Sequence, residues 1–433
     1  MTQAKKFFPI QTATACQLKW SWSTIQLNHG QTSSCYRSSM SEITEENFSD
    51  FHNTPLKLKH RQEMLEGKWP GDDDKWGCHY CRTIEEAGGV SDRMWHLTID
   101  NMYPTELDQD PMAIRVNPVV VEVWLNNACQ MSCLYCTSSA SSAIDAENKK
   151  FQKYVIEGVE FERLRPLQDQ HYKDLLPAFK KWFEQDFKNI RRLNVLGGEP
   201  FFQKEFDILL DNIDKNPNPN CELNVISNLM VPKKILVKYI EIIKKLLVDR
   251  KIKNLHLLAS LDAWGPQQEY VRWGLDLAHW EENFKYLLAQ PWIKLALNQV
   301  FSPLTIKTVP EFMDKLREFR QTRHVELYVG TVSPGPSYLV PRIFGPGVFE
   351  EDFKEICERM PIDTEQDLVI RDYIAGIGKS IANTQRDLQE IKKMLIYLNE
   401  KDRRRGTDWR PLFPWLVEFE KQCETVELTT NVV

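Results

Sequence analysis

Three cysteines, spaced Cys129-x3-Cys133-x2-Cys136, follow directly on the apolar run Val119-Val120-Val121-Glu122-Val123-Trp124-Leu125. Three thiolates on one short loop at the end of a buried strand are able to hold three irons of a four-iron cluster. The fourth iron then keeps a free coordination position, which structural sites lack and catalytic metals need. The bland readings are ordinary buried thiols or part of a zinc site. Zinc sites usually pair two CxxC or CxxH hooks, which this triplet does not offer. Its spacing also differs from the CxxCxxC run of ferredoxins.

Seven of the ten cysteines fall before residue 137. Besides the triplet they are Cys16-x13-Gly30-x4-Cys35 and the hook Cys78-x2-Cys81, a set of four thiols joined through a hairpin and a tight turn. Four protein ligands saturate a metal, so this is a closed site; spacing admits structural zinc or an auxiliary iron–sulfur cluster. Cys221, Cys357 and Cys423 stand alone and read as packing residues.

Other polar groups sit where apolar runs end. Gly197-Gly198-Glu199-Pro200 offers backbone that can come close to a ligand and a carboxylate that can accept from an ammonium group. Its plain alternative is a tight strand-to-helix turn. Asn228 follows the run ending at Ser227, while Ser260 and Asp262 end another, and Arg272 and Asn298 complete the list. Asp72, Asp73 and Asp74 read as a solvated acidic turn. Arg403-Arg404-Arg405 reads either as a clamp for an anionic group or as a solvated helix end.

These groups need a frame. Residues 1–117 read as a small cysteine-bearing module, with an extended run at 18–27, an Asn/Gly turn that signals a hairpin, and a helix over 41–66. Residues 118–346 alternate strands (119–125, 192–196, 222–226, 255–261, 294–300, 325–329) with helices (171–187, 203–213, 233–248, 281–289, 310–320). Such alternation predicts a parallel sheet of six βα units, hence an incomplete (β/α)6 barrel with ligands at the C-terminal strand ends. The insertion within 133–170 is longer than a usual βα loop. Residues 347–433 read as a helical extension. The fold class is α/β.

The loop Cys129-x3-Cys133-x-Tyr135-Cys136 resembles the radical SAM superfamily, whose signature is CxxxCxΦC with an aromatic at Φ. The resemblance implies that Cys129, Cys133 and Cys136 carry a [4Fe-4S] cluster whose open iron chelates S-adenosylmethionine, with Tyr135 against the adenine. It also implies a reducing electron donor such as flavodoxin or ferredoxin. Gly197, Gly198, Glu199 and Pro200 match the family motif that binds the methionyl amino group. Asn228, Ser260 and Asp262 resemble its ribose-contacting edges, although Leu229 replaces the usual glycine. Arg272 takes the place of an arginine common after the S-x-D edge, as a carboxylate clamp or a surface salt bridge; Asn298 is a candidate of the same kind. The elements around Cys16, Cys35, Cys78 and Cys81, with residues 61–67 and 81–88, look like the twitch domain, a shortened SPASM module, which implies a second, auxiliary [4Fe-4S] cluster. Here the module precedes the barrel, whereas in the family it usually follows it. The likeness spans most of residues 10–340.

At 433 residues, 42% hydrophobic and 27% charged, the chain has room for a large core and an ordinary soluble profile. No stretch nears the roughly 18 uninterrupted apolar residues of a membrane helix. The opening apolar run is too short for a secretory segment, so the expected location is the cytoplasm, where thiols stay reduced. A net charge of −6 gives no general pull toward nucleic acid, without excluding a local basic channel. Relatives with such modules often modify peptides, so the leading substrate is a peptide or protein. The competing readings are radical chemistry on a nucleotide, nucleic-acid base or other small molecule, and a non-catalytic metal protein.

Overall fold

Short runs rich in valine and leucine form the strands, and the longer segments between them wind into helices with one apolar stripe. The computed structural model describes residues 8–35, 37–71, 78–86, 91–94, 102–151, 155–156, 159–160, 169–332 and 336–428. Asp72, Asp73 and Asp74 lie outside the described residues, as do residues 87–88 of the twitch-like stretch.

The strands are β1 (Trp22–Gln26), β2 (Gln31–Thr32), β3 (Ser41–Glu42), β4 (Val120–Trp124), β5 (Val155–Ile156), β6 (Val159–Glu160), β7 (Arg192–Leu196), β8 (Glu222–Ser227), β9 (Asn254–Ser260), β10 (Ile293–Phe301) and β11 (Glu326–Thr331). Nine of them join one mostly parallel sheet in the order β11-β10-β9-β8-β7-β4-β1-β2-β3, and β5 pairs with β6. Parallel neighbours need crossovers. Helices Lys204–Lys215, Lys233–Val248, Leu277–Leu288 and Val309–Arg320 supply them from β7 onward.

The chain divides into two compact units, the first being Met1–Asn127, Leu167–Ile226 and Val237–His256, the second Ala128–Pro166, Ser227–Leu236 and Leu257–Val433.

In the first unit β4 pairs in parallel with both β1 and β7, and β7 with β8. Val121, Val123, Leu193, Val195, Leu223 and Val225 are fully buried on one face of these strands. Phe51, Phe179, Trp182 and Phe183 interlock edge to face or stacked nearby. The hairpin expected after the first extended run is present, with Gln26 opposite Gln31 and Gly30 at φ +61. Two local expectations need correction. Residues 17–21 form a short helix rather than extended chain, with Ser21 Oγ donating back to Gln17 O at 2.9 Å. The helix expected over 41–66 spans Pro55–Leu65 alone, because Pro55 lacks an N–H and suits the first helical turn while the Thr54 side chain caps it. The residues before it form β3 and a 3-10 turn.

In the second unit β10 and β11 pair in parallel over Ala296–Phe301, and Trp280, Phe284 and Phe319 pack as one aromatic group. The C-terminal part is helical, as expected, over Glu350–Arg359, Glu365–Ala382, Leu388–Arg405 and Val417–Cys423. A capping box of Thr364 and Asp367 starts the second of these helices. Among the described residues, no helix is long and apolar enough to cross a membrane.

Candidate functional site

The loop bearing Cys129, Cys133 and Cys136 lies in the second unit, and its backbone is held from several directions. Ser132 N donates to Trp273 O at 2.8 Å and Leu134 N to Val271 O at 2.9 Å, a short ladder beside the loop. Gly274 permits that approach: its φ is +99, and a Cβ there would stand 3.2 Å from Gln130 O. Ser142 Oγ accepts from Cys129 N at 3.1 Å, and Ser141 Oγ donates to Met131 O at 2.6 Å. From the helix Leu388–Arg405, Tyr397 donates to Leu134 O at 2.6 Å and Arg405 to Ser132 O at 2.9 Å. No local pattern marks Tyr397 or Arg405 as a support for the cysteine loop.

The arginine run therefore fits the solvated helix end expected of it at Arg403 alone. The side chains of Arg404 and Arg405 are 3% exposed and pair with Glu147, so two of the three arginines are interior struts. Arg403 alone reaches solvent, paired with Glu400.

Burial pushes the Cys133 and Cys136 thiols above their ordinary acidity range, and for Cys136 the neighbouring Cys133 and Cys129 add to the shift. The three sulfurs are thus within electrostatic reach of one another. Such thiols are protonated at neutral pH, and a metal that binds them displaces the protons. Asn228 Nδ2 donates to Cys129 Sγ at 3.6 Å, and Gln130 Nε2 to Asn228 Oδ1 at 3.2 Å. Leu229, where a glycine was the expectation, sits at φ +56 and is fully buried.

Tyr135, Asp262 and Arg272 form one hydrogen-bonded unit, with Asp262 and Arg272 buried and Tyr135 half-buried. Arg272 donates Nε and Nη2 to the two Asp262 oxygens, each at 2.8 Å, with the two side chains 8% and 0% exposed. Tyr135 donates to Asp262 Oδ2 at 2.6 Å, and Val300 N to Oδ1 at 3.1 Å. The Asp262 carboxylate accepts these four hydrogen bonds, and a surface bridge for Arg272 is ruled out by its burial. Desolvation holds the Tyr135 hydroxyl well above its usual pKa. Ser260 closes β9 and Asn298 lies on β10 in the same unit.

Gly197, Gly198, Glu199 and Pro200 belong to the first unit. Both glycines take left-handed φ, +82 and +57, and a Cβ on Gly197 would meet Asn126 O and Trp124 Cβ at 3.2 Å. Glu199 is buried, and its carboxylate accepts from Phe201 N at 3.2 Å, capping the turn Pro200–Phe202. Gln203 braces the turn: its Nε2 donates to Asn126 O at 3.1 Å and also to Gly197 O, while its Oε1 accepts from Asn126 N at 3.1 Å.

Also in the first unit, Cys16, Cys35, Cys78 and Cys81 line one cavity together with Lys19, Arg37, Trp69, Tyr80, Asp92 and Arg93. Sequence separations of up to 65 residues are thereby closed onto one place. Burial raises the Cys16 thiol, with the other three thiols adding, and pushes Cys35 up to about 12 against the opposing Lys19. Among the described residues, no three His, Cys, Asp or Glu side chains are drawn tightly enough to hold a single metal ion. Four thiolates on one zinc stand roughly 3.8 Å apart at Zn–S of about 2.3 Å. Each thiol set nonetheless brings sulfur donors within electrostatic reach of one another.

No family model matches the chain, and no curated protein matches it. It is similar to solved structures of Streptococcus suis SuiB. The one bound to S-adenosylmethionine shares 12% identity at TM-score 0.36, covering 88% of this chain and 68% of that one. The one bound to precursor peptide SuiA shares 13% identity at TM-score 0.35, covering 91% and 71%. At such scores a likeness does not by itself establish a shared fold.

Proposed function

We propose that this chain is a radical SAM enzyme with a partial (β/α)6 barrel over residues 118–346, a twitch-like module over 1–117 and a helical extension over 347–433. The observation that carries the reading is the cysteine loop: three thiols in electrostatic contact, with the loop's amides and carbonyls tied down on several sides. When bound there, a [4Fe-4S] cluster supplies one electron to S-adenosylmethionine, whose cleavage gives a 5′-deoxyadenosyl radical.

The chain's own part is placement and exclusion of water. Cys129, Cys133 and Cys136 hold the cluster and leave one iron for the cosubstrate. Tyr135, with its hydroxyl tied to Asp262, presents a fixed ring for the adenine. Asp262 and Arg272 set that ring's position rather than reaching out themselves, since their polar groups already bind one another. Gly197 and Gly198 keep backbone amides approachable for the methionyl group. Asn228, Ser260 and Asn298 supply the remaining polar contacts. Cys16, Cys35, Cys78 and Cys81 hold an auxiliary [4Fe-4S] cluster. The proposed substrate is a peptide or protein, the electron donor a flavodoxin or ferredoxin, and the location the cytoplasm.

The test is anaerobic reconstitution. Replacing Cys129, Cys133 and Cys136 together by Ala is expected to leave about half the iron and no 5′-deoxyadenosine. Undiminished nucleoside formation by that variant would falsify the assignment.

A further inference from the structure

The sheet face opposite the apolar one in the first unit carries a polar row. Register places Glu122 beside Asn194 and Asn194 beside Asn224, so β4, β7 and β8 present three polar side chains in line. Neighbouring strands are roughly 4.8 Å apart, which puts adjacent members within reach of one small ligand group. The intervening residues Val123, Val195 and Val225 are fully buried on the other face, so this row is not packing by default.

Its hydrogen bonding is incomplete. Glu122 is 5% exposed and Asn194 7% exposed. Glu122 Oε1 accepts from Trp124 Nε1 at 3.0 Å. Among the described residues, Asn194 Oδ1 and Asn224 Oδ1 are buried with no partner. A buried acceptor without a donor is costly, and native proteins keep few of them. Charge is incomplete as well: among the described residues no Lys or Arg pairs with Glu122. Arg192, two residues before Asn194 on the same strand, is paired with Glu222 at 3.4 Å. Burial without a counter-charge pushes the Glu122 carboxyl up to about 7. Toward the C-terminal strand ends the next positions on this face are Trp124, Leu196 and Ile226, all half-buried and apolar.

We propose that Glu122, Asn194 and Asn224 form a binding site for a cationic N–H donor, an alkylammonium or alkylguanidinium group, whose hydrocarbon stem lies against Trp124, Leu196 and Ile226. Three acceptors in line and one uncompensated carboxylate match the donors and charge of such a head group. The indole beside it adds a face on which cations sit well. This assignment is independent of the radical reading, since it needs neither cluster nor cosubstrate.

The experiment uses the full chain and ligand-observed NMR titration with N-butylguanidinium, n-butylammonium and the near-isosteric neutral N-butylurea. At least one cation is expected to bind ten or more times tighter than the urea, and which one does so identifies the head group. Glu122→Gln keeps the acceptor for Trp124 and should reduce that preference to less than twofold. Asn224→Leu, at the more open end of the row, should weaken the preferred cation at least fivefold and provides a second reading should the first variant misfold. Equal binding of urea and cations, a preference that survives both substitutions, or no binding of any probe would overturn the site.

Discussion

Arg272 and Asp262 show what a buried pair does at the scale of single residues. With both side chains almost fully shielded, removing one leaves an uncompensated charge, a loss of about 3–5 kcal/mol. Arg272→Leu should therefore unfold at markedly lower denaturant, and Arg272→Leu with Asp262→Leu should recover part of that loss. A double variant as unstable as the sum of the singles would contradict the pairing. Glu122 makes a prediction of opposite sign. Its folded carboxyl is raised from about 4.5 to about 7, so the folded state keeps a proton that the unfolded state gives up first. Stability contributed by this group is full below about pH 4.5 and is lost as pH rises to about 7. Glu122→Gln lacks that loss and should be more stable at pH 8 by up to about 3 kcal/mol, with no gain at pH 4. Urea unfolding at the two pH values decides it.

Elements are placed by details that sequence pattern passes over. In the helix Glu365–Ala382, Gly378 lies against Phe353, where an added Cβ would come within 2.7 Å of the ring, whereas Gly376 faces open space. Gly378→Ala is expected to lower stability by about 1–3 kcal/mol through overpacking. Gly376→Ala should raise it by up to about 1 kcal/mol through helix propensity. Thermal unfolding of the two variants would show opposite shifts; like shifts would mean the helix packs differently. The helix Leu388–Arg405 has a second task, since Tyr397 and Arg405 each bind a carbonyl of the cysteine loop. Tyr397→Phe should leave the fold intact yet shorten the time that iron is retained under chelator. Unchanged retention would remove that support from the account.

For the whole molecule, each thiol set contains a sulfur that burial pushes well above the ordinary thiol range, Cys16 in one and Cys136 in the other, so a metal that binds there must displace protons. Iron uptake should release protons and strengthen as pH rises from 6 to 8.5, read from iron retained against a chelator at each pH. Uptake independent of pH would mean that the sulfurs are already ionised and less enclosed.

The chain's local chemistry was legible without coordinates. The alternating runs gave β7 and the helix Lys233–Val248 to the residue, and most other boundaries from β4 to β11 within one or two, because strand and helix periods are local properties. The thiol triplet and the four upstream cysteines stood out by type and spacing alone. What the sequence could not show were relations between distant segments. That β1 runs parallel beside β4, that Cys16 and Cys81 line one cavity, and that Glu122, Asn194 and Asn224 share a row all depend on register. Register is set by how separate strands pair, and no single segment carries that information. The arginine run near residue 404 makes the same point: its charge suggested water, but the carboxylate of Glu147, more than 250 residues earlier, made burial possible.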